Sequence, residues 1–453
     1  MPGEAATVEK AGIEHIPDGE RHGSPGRVFT LWFAANLTIA DYVIGVLCVQ
    51  AFGLTVGQAI PVLVLGNVLG GVLLGLSAAM GPKLGFPQML SSRSSFGRRG
   101  NYVFGGLNWV STVGWFTVNT ILGVEAIQAV FPGLNFYAPA TALVVLQVLV
   151  AVYGHDLIHL FEKVMSVVLG VLFLGVFVLA IPKLGQAMAF VPPGASGGIP
   201  ALGAVAVVLA TSFSYLMSWA PYASDYTRYL PETASGRRVA VYALLGGAVA
   251  SLAIESVGAI VGSVTPGSGY FEGLYSFSGS FGLFAILAII LGAMGANALN
   301  IYTNALSALV LDVRAKRWQM VLTGGVVGLL LSFVGQVNIA NSFENFLLVL
   351  DYWITPWLGI VLVDYFVVHR TSVSTSQNPV AFDFRTLGVY CFAVLASVPF
   401  MVPAMPLGFP VGALAYLVGG GDFSYFVSFA VACALTYLLR TRGARGSIRS
   451  SRE

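Results

Sequence analysis

The sequence has little charge and few cysteines, and it lacks the motifs of ATP-driven and hydrolytic enzymes. Of its 453 residues, 9% are charged and 57% are hydrophobic, with a mean hydropathy of +0.83. A soluble protein has about 25% charged residues, so this composition excludes a water-soluble globule. The net charge of +2 provides no basic excess for binding nucleic acid. The sequence therefore predicts a multi-span membrane protein.

The missing motifs exclude several activities. Cys48, Cys391 and Cys433 lie in apolar runs and form neither a disulfide framework nor a metal-binding spacing. GxxxxGK[ST] and HExxH are absent, and the single GxSxG match, GASGG at 194–198, lies in a segment rich in Gly and Pro and not at a strand-to-helix elbow. We therefore expect no ATP-driven transport, no enzymatic activity and no cofactor or metal. The nearest metal-like pattern is His155 and His159, at i and i+4, which we predict to lie in a solvated loop.

Twelve apolar stretches are suitable for crossing a membrane, since a spanning helix needs about 20 mainly apolar residues. These predicted spans are 30–53, 58–80, 101–129, 138–153, 160–182, 201–221, 239–263, 282–311, 319–336, 345–367, 386–404 and 422–440. All Lys and Arg residues except Lys183 then lie on one side of the bilayer. Positive charge marks the cytoplasmic side, so we predict a plasma-membrane protein with cytoplasmic tails at 1–29 and 441–453.

Amide and aromatic side chains form two patterns inside the spans. Trp115 and Asn119 lie one turn apart on the third span, and Asn297, Asn300 and Asn304 form a stripe along the eighth. Amides pair with polar edges and aromatic rings stack on flat solutes. Without a fixed cation nearby, these residues suit a neutral, planar, hydrogen-bonding solute. The alternative for each Asn is interhelical hydrogen bonding.

Asp41 is a carboxylate inside the first span, and no Lys or Arg lies in the interior of any span to neutralise it. Such a group carries a proton or cation, contacts substrate or is held by structural hydrogen bonds. We favour a role in coupling. Glu125 and Glu255 are other carboxylates within the spans.

Five segments together resemble the nucleobase:cation symporter-1 family, and within it the purine–cytosine permease branch. They are GPKLGFPQMLSSRSSFGRRG (81–100), VGWFTVNTILG (113–123), SWAPYASDYTRYLP (218–231), ANALNIYTNALSA (296–308) and PWLGIVLVDYFVVHR (356–370). The resemblance covers most of the chain. It implies an all-α polytopic membrane protein with about twelve transmembrane helices in a LeuT-like 5+5 inverted repeat, plus two C-terminal helices.

The resemblance also implies a domain organisation and a substrate site. The five-helix repeats would be 30–182 and 201–367, followed by two further helices at 386–440. Helices 1 and 6 are discontinuous in the family, and substrate binds at their breaks. The substrate-binding residues implied here are Trp115, Asn119, Asn297 and Asn300, with Tyr215 and Trp219 as the two candidates for the sixth-helix aromatic.

One departure from the family concerns the coupling ion. Sodium-coupled relatives have Ser or Thr five and six residues before the substrate Asn of helix 8, whereas this chain has Gly295 and Met294. Proton coupling, with Asp41 as the carrier, is therefore favoured over sodium coupling.

The function that these observations predict is import of cytosine or a purine by symport. Alternatives with the same fold are import of hydantoin, allantoin, uracil or a vitamin precursor. Channel and non-transporting sensor functions are different-class alternatives. The expected partners are the lipid bilayer, the nucleobase-like substrate and the coupling proton or sodium, with the oligomeric state left open.

Overall fold

Helices make up nearly all of the chain that the structure describes. The computed structural model describes residues 9, 11–193, 195, 201–368, 380–402, 412–417 and 419–450. The basic residues Lys10, Arg370 and Arg452, which contribute to the predicted orientation, lie outside these described residues. The main helices in chain order are α1 (Gly26–Asn36), α2 (Ile39–Gln50), α3 (Val56–Leu84), α4 (Tyr102–Val130), α5 (Tyr137–Tyr153), α6 (His155–Ala180), α7 (Leu202–Met217), α8 (Ala223–Thr227), α9 (Gly236–Val264), α10 (Tyr270–Ser278), α11 (Gly282–Val310), α12 (Arg317–Gly335), α13 (Ile339–Val363), α14 (Phe384–Ser397) and α15 (Ser424–Ser450). Shorter helices lie at Gln88–Ser91, Arg93–Phe96, Leu184–Ala189 and Ala413–Leu417.

The predicted spans coincide with these helices. Within the described residues, nine helical segments are long and apolar enough to cross a membrane, and the bent pair α1–α2 makes a tenth. Two shorter apolar helices, Tyr137–Tyr153 and Phe384–Phe400, accompany them. Each of the twelve predicted spans overlaps one of these segments. The all-helical polytopic fold is therefore confirmed.

The first and sixth spans are interrupted, as the family resemblance implies. α1 ends at Asn36 and α2 begins at Ile39, with a bend of 56° between them. In the sixth span, α7 ends at Met217 and α8 begins only at Ala223. Pro221 lies in this second gap, where its missing N–H prevents a continuous helical hydrogen-bond ladder.

Glycines allow α2 and α9 to pack backbone to backbone. A Cβ atom added to Gly45 would lie 2.0 Å from the carbonyl oxygen of Glu255, and one added to Gly258 would lie 2.2 Å from that of Tyr42. Small residues permit such close approach between helices inside a membrane. This contact fixes the second half of the broken first span against α9.

The N-terminal tail crosses one end of the helix bundle, and Glu9 anchors it there. We call this end the tail side. The groups that bind the Glu9 carboxylate are the His155 backbone N–H (2.8 Å), the Tyr302 hydroxyl (3.0 Å), the Tyr229 hydroxyl, Arg317 (3.6 Å) and Arg228 (3.9 Å). They come from α6, α11, α12 and the segment after α8. A single carboxylate therefore connects the tail to several spans.

The predicted loop position of His155 and His159 is wrong. Both lie in α6, which begins at His155, directly after Gly154 with a φ of 93°. This sharp turn brings the His155 ring onto Tyr229, with 3.7 Å between ring centroids, and leaves only 4% of His155 exposed. Helix α6 thus begins five residues before the fifth predicted span, which starts at residue 160.

Asp312 links the loop after α11 to the residues that precede α4. Its carboxylate accepts hydrogen bonds from Arg93 (2.9 Å), Arg98 (2.8 Å) and the Tyr102 hydroxyl. Partial burial disfavours the charged form, but the bonds from Tyr102, Arg98 and Arg93 outweigh it and lower the pKa of Asp312 to about 2. Asp312 also has a positive φ of 58°, a conformation that Asn tolerates well.

Asp312→Asn is expected to destabilise the protein in a pH-dependent way. An unfolded Asp titrates near 3.9, so a lowered folded-state pKa stabilises the fold fully above about pH 5, and this contribution is lost as the pH falls towards 2. Thermal unfolding in detergent should show a loss of about 1 kcal/mol at pH 7 that narrows between pH 5 and pH 3. The control is Glu232→Gln, an exposed acid 3.7 Å from Lys83. A loss that stays constant across this pH range would contradict the assignment.

Candidate functional site

The substrate-binding residues predicted from the sequence are all buried where the broken spans meet α4 and α11. Their exposed fractions are 4% for Trp115, 3% for Asn119, 2% for Tyr215, 4% for Trp219, 0% for Asn297 and 1% for Asn300. Buried amides and indoles require hydrogen-bond partners. The partners that each side chain finds, or lacks, therefore describe what the site can recognise.

Aromatic rings surround the Trp115 indole. Tyr215 of α7 and Phe346 of α13 approach it nearly perpendicularly, with centroids at 5.3 and 5.2 Å, and Phe343 lies at 6.1 Å. The Tyr215 hydroxyl is also 2.7 Å from the Thr38 hydroxyl, which belongs to the break between α1 and α2. The aromatic part of the site is thus connected directly to the interrupted first span.

An amide network runs from α4 to α11 beside these rings. The Asn119 side-chain nitrogen donates to Asn297 Oδ1 (3.1 Å), and the Asn300 nitrogen approaches the same oxygen (3.4 Å). Asn300 Oδ1 in turn accepts from the Tyr222 hydroxyl (3.1 Å). The structure therefore brings the three predicted amides together.

Asn297 is the centre of this network. Its nitrogen lies within hydrogen-bonding distance of the Phe116 carbonyl oxygen (3.0 Å), Gln147 Oε1 (3.2 Å) and the Thr120 hydroxyl (3.3 Å). Both ends of its amide are thus engaged by protein groups. Asn297 joins α4, α5 and α11 and orients its two amide neighbours.

Three polar atoms of the site have no hydrogen-bond partner among the described residues. They are the indole nitrogen of Trp115, the side-chain oxygen of Asn119 and the side-chain nitrogen of Gln147. The first two lie on α4. A buried polar atom left unpaired costs roughly 1–3 kcal/mol. One free donor and one free acceptor, next to aromatic rings, are suited to a planar heterocycle with both kinds of polar group on its edge.

The two candidate aromatics of the sixth span differ in position. Tyr215 contacts Trp115, whereas the Trp219 nitrogen donates to Asn36 Oδ1 (3.0 Å) at the end of α1. The Trp219 ring lies 5.3 Å from Trp32 and 5.3 Å from Tyr222. Trp219 therefore joins the two interrupted spans, and Tyr215 borders the Trp115 ring.

Asp41 lies apart from the amide network, between α2 and α9. One oxygen accepts a hydrogen bond from Ser251 (2.7 Å), and the other has no partner among the described residues. Glu255, on the same face of α9, accepts from Asn67 and interacts electrostatically with Asp41. Both carboxyl groups are fully buried, so the structure places a pair of acids beside the broken first span.

One group of three potential metal ligands occurs in the described part of the chain, and it lies outside this site. His22, His155 and Asp156 each offer one ligand atom, and these atoms lie within 4.8 Å of one another. They belong to the tail side, where His22 Nε2 is 3.4 Å from Asp156.

Two residues of the amide network, Tyr222 and Gln147, are not among those predicted from the sequence. Tyr222 follows Pro221 in the gap of the sixth span. It belongs to segment 218–231, one of the five that resemble the family, and this position could have indicated a role in the site. Gln147 is the one amide of α5, and a lone amide in an apolar helix is a functional or packing signal. The position of each residue in the sequence does not by itself predict its contact with Asn297 or Asn300.

Comparison with known proteins places this arrangement in a family. Residues 15–434 match the model of the permeases for cytosine/purines, uracil, thiamine and allantoin. The chain belongs to this nucleobase–cation-symport-1 family. It is 29% identical to a putative purine-cytosine permease of Bacillus subtilis, over 95% of this chain and 96% of the relative, and 29% identical to a purine-cytosine permease of Emericella nidulans, over 95% and 88%. The protein is thus a secondary transporter of nucleobase-like substrates, and not an enzyme.

The solved structures agree on the fold. The transporter matches a nucleobase-cation-symport-1 family transporter in a closed conformation with bromovinylhydantoin bound, with a TM-score of 0.77, 19% identity and coverage of 98% of this chain and 96% of the other. This match confirms the predicted LeuT-like fold.

Trp219→Phe is expected to destabilise the transporter more than Trp32→Phe. Both changes remove the same ring volume from one cluster, but only Trp219 loses a hydrogen bond, because the Trp32 nitrogen has no partner among the described residues. The unpaired Asn36 oxygen should add a loss of roughly 1–3 kcal/mol. Thermal unfolding of both variants in detergent measures the difference, and equal losses would show that the bond contributes nothing to stability.

Proposed function

We propose that the transporter imports a planar nucleobase, cytosine or a purine, in symport with a proton. The observation that supports this most strongly is the buried group formed by the Trp115 ring, with its free indole donor, and the Asn119 amide, with its free oxygen. The base would stack on Trp115, and Asn119 and Asn300 would pair with its polar edge. Asn297 would hold these amides in place.

The site favours a neutral solute over an anion or cation. No Lys, Arg, Asp or Glu forms a hydrogen bond with Trp115, Asn119 or Asn300 in the described part of the chain. A charged solute would therefore enter a buried site without a compensating charge, which is costly. A neutral base with donors and acceptors on one edge avoids this cost.

Other heterocycles with the same shape are the competing substrates. The family description includes uracil, thiamine and allantoin, and the structurally similar transporter holds a hydantoin. The two relatives described as purine-cytosine permeases support cytosine or a purine as the substrate. The uptake experiment below separates these classes.

Proton coupling rests on the acids of the first and seventh spans. Asp41 and Glu255 are buried as neighbours and have no Lys or Arg partner within the described residues. Such a pair is stable when at least one member is protonated, so it can load and release a proton. The lack of hydroxyl groups at Gly295 and Met294 argues in the same direction, against sodium.

We further propose that the protein lies in the plasma membrane with the tail side in the cytoplasm. Arg21, Arg93, Arg228 and Arg317 all belong to the tail side, and basic residues are retained in the cytoplasm.

The nucleobase proposal predicts saturable uptake of cytosine, adenine or hypoxanthine in cells without their own permeases. Trp115→Ala and Asn300→Ala should abolish it, because they remove the stacking surface and one amide. Asn304→Ala is the matched control, since Asn304 has the same side chain one turn away but donates to the Trp109 carbonyl oxygen (2.9 Å) and Thr112 (3.0 Å). All rates are normalised to protein at the cell surface. Uptake of uracil, allantoin or a hydantoin alone would replace the proposed substrate.

Asp41→Asn is expected to keep substrate binding and to weaken proton-driven accumulation. Asn preserves the shape and can still accept the Ser251 hydrogen bond, but it cannot bind and release a proton. The accumulation that a protonophore abolishes should then be smaller than in wild type, while binding affinity changes little. Protonophore-sensitive accumulation equal to that of wild type would remove Asp41 from the coupling mechanism.

A further inference from the structure

Glu162 of α6 is a buried carboxyl group to which none of the roles described above applies. It is only 1% exposed, and neither of its oxygens has a hydrogen-bond partner among the described residues. Buried carboxylates are normally paired or hydrogen-bonded. An acid held without either is a site for a ligand or a proton.

Its carboxyl group lies against the helix that carries the amide network. A Cβ atom added to Gly295 would lie 2.7 Å from one Glu162 oxygen, so the acid occupies the space beside this glycine of α11. Gly295 precedes Asn297 by two residues and Asn300 by five. Glu162 is therefore about one helical turn from the proposed substrate contacts.

The same region of α11 contacts the break in the first span. A Cβ atom on Gly292 would lie 2.0 Å from the Leu37 carbonyl oxygen, which is in the gap between α1 and α2. α6 itself packs against both α1 and α11. Glu162 thus lies where α6 and α11 pack against the broken first span.

The charged groups nearby do not compensate this acid. The ionisable Asp, Glu, Lys, Arg and His residues on α6, on the turn after it and on the helices packed against it are His155, Asp156, His159, Lys163, Lys183, Arg27, Arg237, Arg238 and Glu255. α5 and α11, which also pack against α6, have none. None of these groups forms an ion pair or hydrogen bond with Glu162 in the described part of the chain.

Protonation of Glu162 therefore depends on whether α6 is packed against α11. A carboxylate buried without a partner costs far more than a neutral carboxylic acid. The packed arrangement of α6 on α11 therefore requires the neutral acid. Any arrangement that separates these helices and admits water permits release of the proton, so proton binding and packing are linked.

We infer that Glu162 is a second proton-binding carboxyl of the transport cycle, one that must be protonated for α6 to pack on α11 beside the substrate site. This inference rests on the proposed function and deepens it. The Glu162 carboxylate would take up a proton from the aqueous phase when the helices separate on one side of the membrane. It would return that proton to water on the other side, with no other bond made or broken.

The test compares Glu162→Gln with wild type in proteoliposomes, using the base identified by uptake. Gln imitates the neutral acid, so exchange of labelled for unlabelled base at equal pH should be retained. Accumulation driven by a pH gradient should fall by about tenfold per pH unit, because one proton fewer is carried per cycle. The matched control is Asp422→Asn, a buried acid whose oxygens accept hydrogen bonds from Tyr352 (2.6 Å), the Val402 N–H (2.8 Å) and Ser424, and this variant should accumulate like wild type.

Unchanged pH-driven accumulation in Glu162→Gln overturns the inference. Accumulation driven by sodium, with a sodium dependence that Glu162→Gln abolishes, overturns it too, because Glu162 then binds the metal ion. Absence of exchange of any base by wild type would instead contradict the proposed function.

A spectroscopic measurement tests the inference even without transport. Infrared spectra of the purified transporter at neutral pH should contain a carboxylic-acid C=O band that is missing in Glu162→Gln and retained in Asp422→Asn. Glu162→Asp should restore a band at shifted frequency. If the wild-type and Glu162→Gln spectra are identical in this region, Glu162 is ionised in the packed state and the inference fails.

Discussion

The interruption of the first span between Asn36 and Ile39 is the feature on which the rest of the site depends. A broken helix leaves backbone groups unpaired, and a membrane tolerates this only where protein surrounds the break. Three contacts do so here: Trp219 donates to Asn36, Tyr215 bonds to Thr38, and Gly292 of α11 lies against the Leu37 carbonyl. These contacts bring α7 and α11 to one place. The aromatic and amide parts of the site are adjacent for this reason.

Much of the architecture could be predicted from the sequence, because hydropathy and charge act along a single helix. All twelve spans coincide with apolar helices, and the breaks occur in the two spans that the resemblance indicated. Contacts between helices are less predictable. Tyr215 and Trp219 are one turn apart and would share a face of an unbroken helix. Since α7 ends at Met217, Trp219 instead turns towards α1, and spacing alone cannot anticipate this.

The position of a helix boundary explains why the sequence does not predict a buried role for Glu162. With the fifth span predicted to begin at residue 160, Glu162 would lie at the membrane surface, where an acid needs no partner. The helix actually begins at His155, after the sharp turn at Gly154. Glu162 is therefore two turns inside the helix and is buried against Gly295. A shift of five residues changes the same acid from solvated to buried, and so changes its chemistry.

Recognition at this site depends on very few atoms, because the protein already satisfies most of its polar groups. Asn297 is engaged at both ends, and the Asn300 oxygen accepts from Tyr222. Among the described residues, the unpaired groups of the site are the Trp115 donor, the Asn119 acceptor and the Gln147 nitrogen. A ligand that leaves either the Trp115 donor or the Asn119 acceptor unpaired loses roughly 1–3 kcal/mol, or about 5- to 150-fold in affinity. One fold can therefore serve different heterocycles when a single amide or its partner changes, since the rest of the network holds the groups that contact the substrate in place.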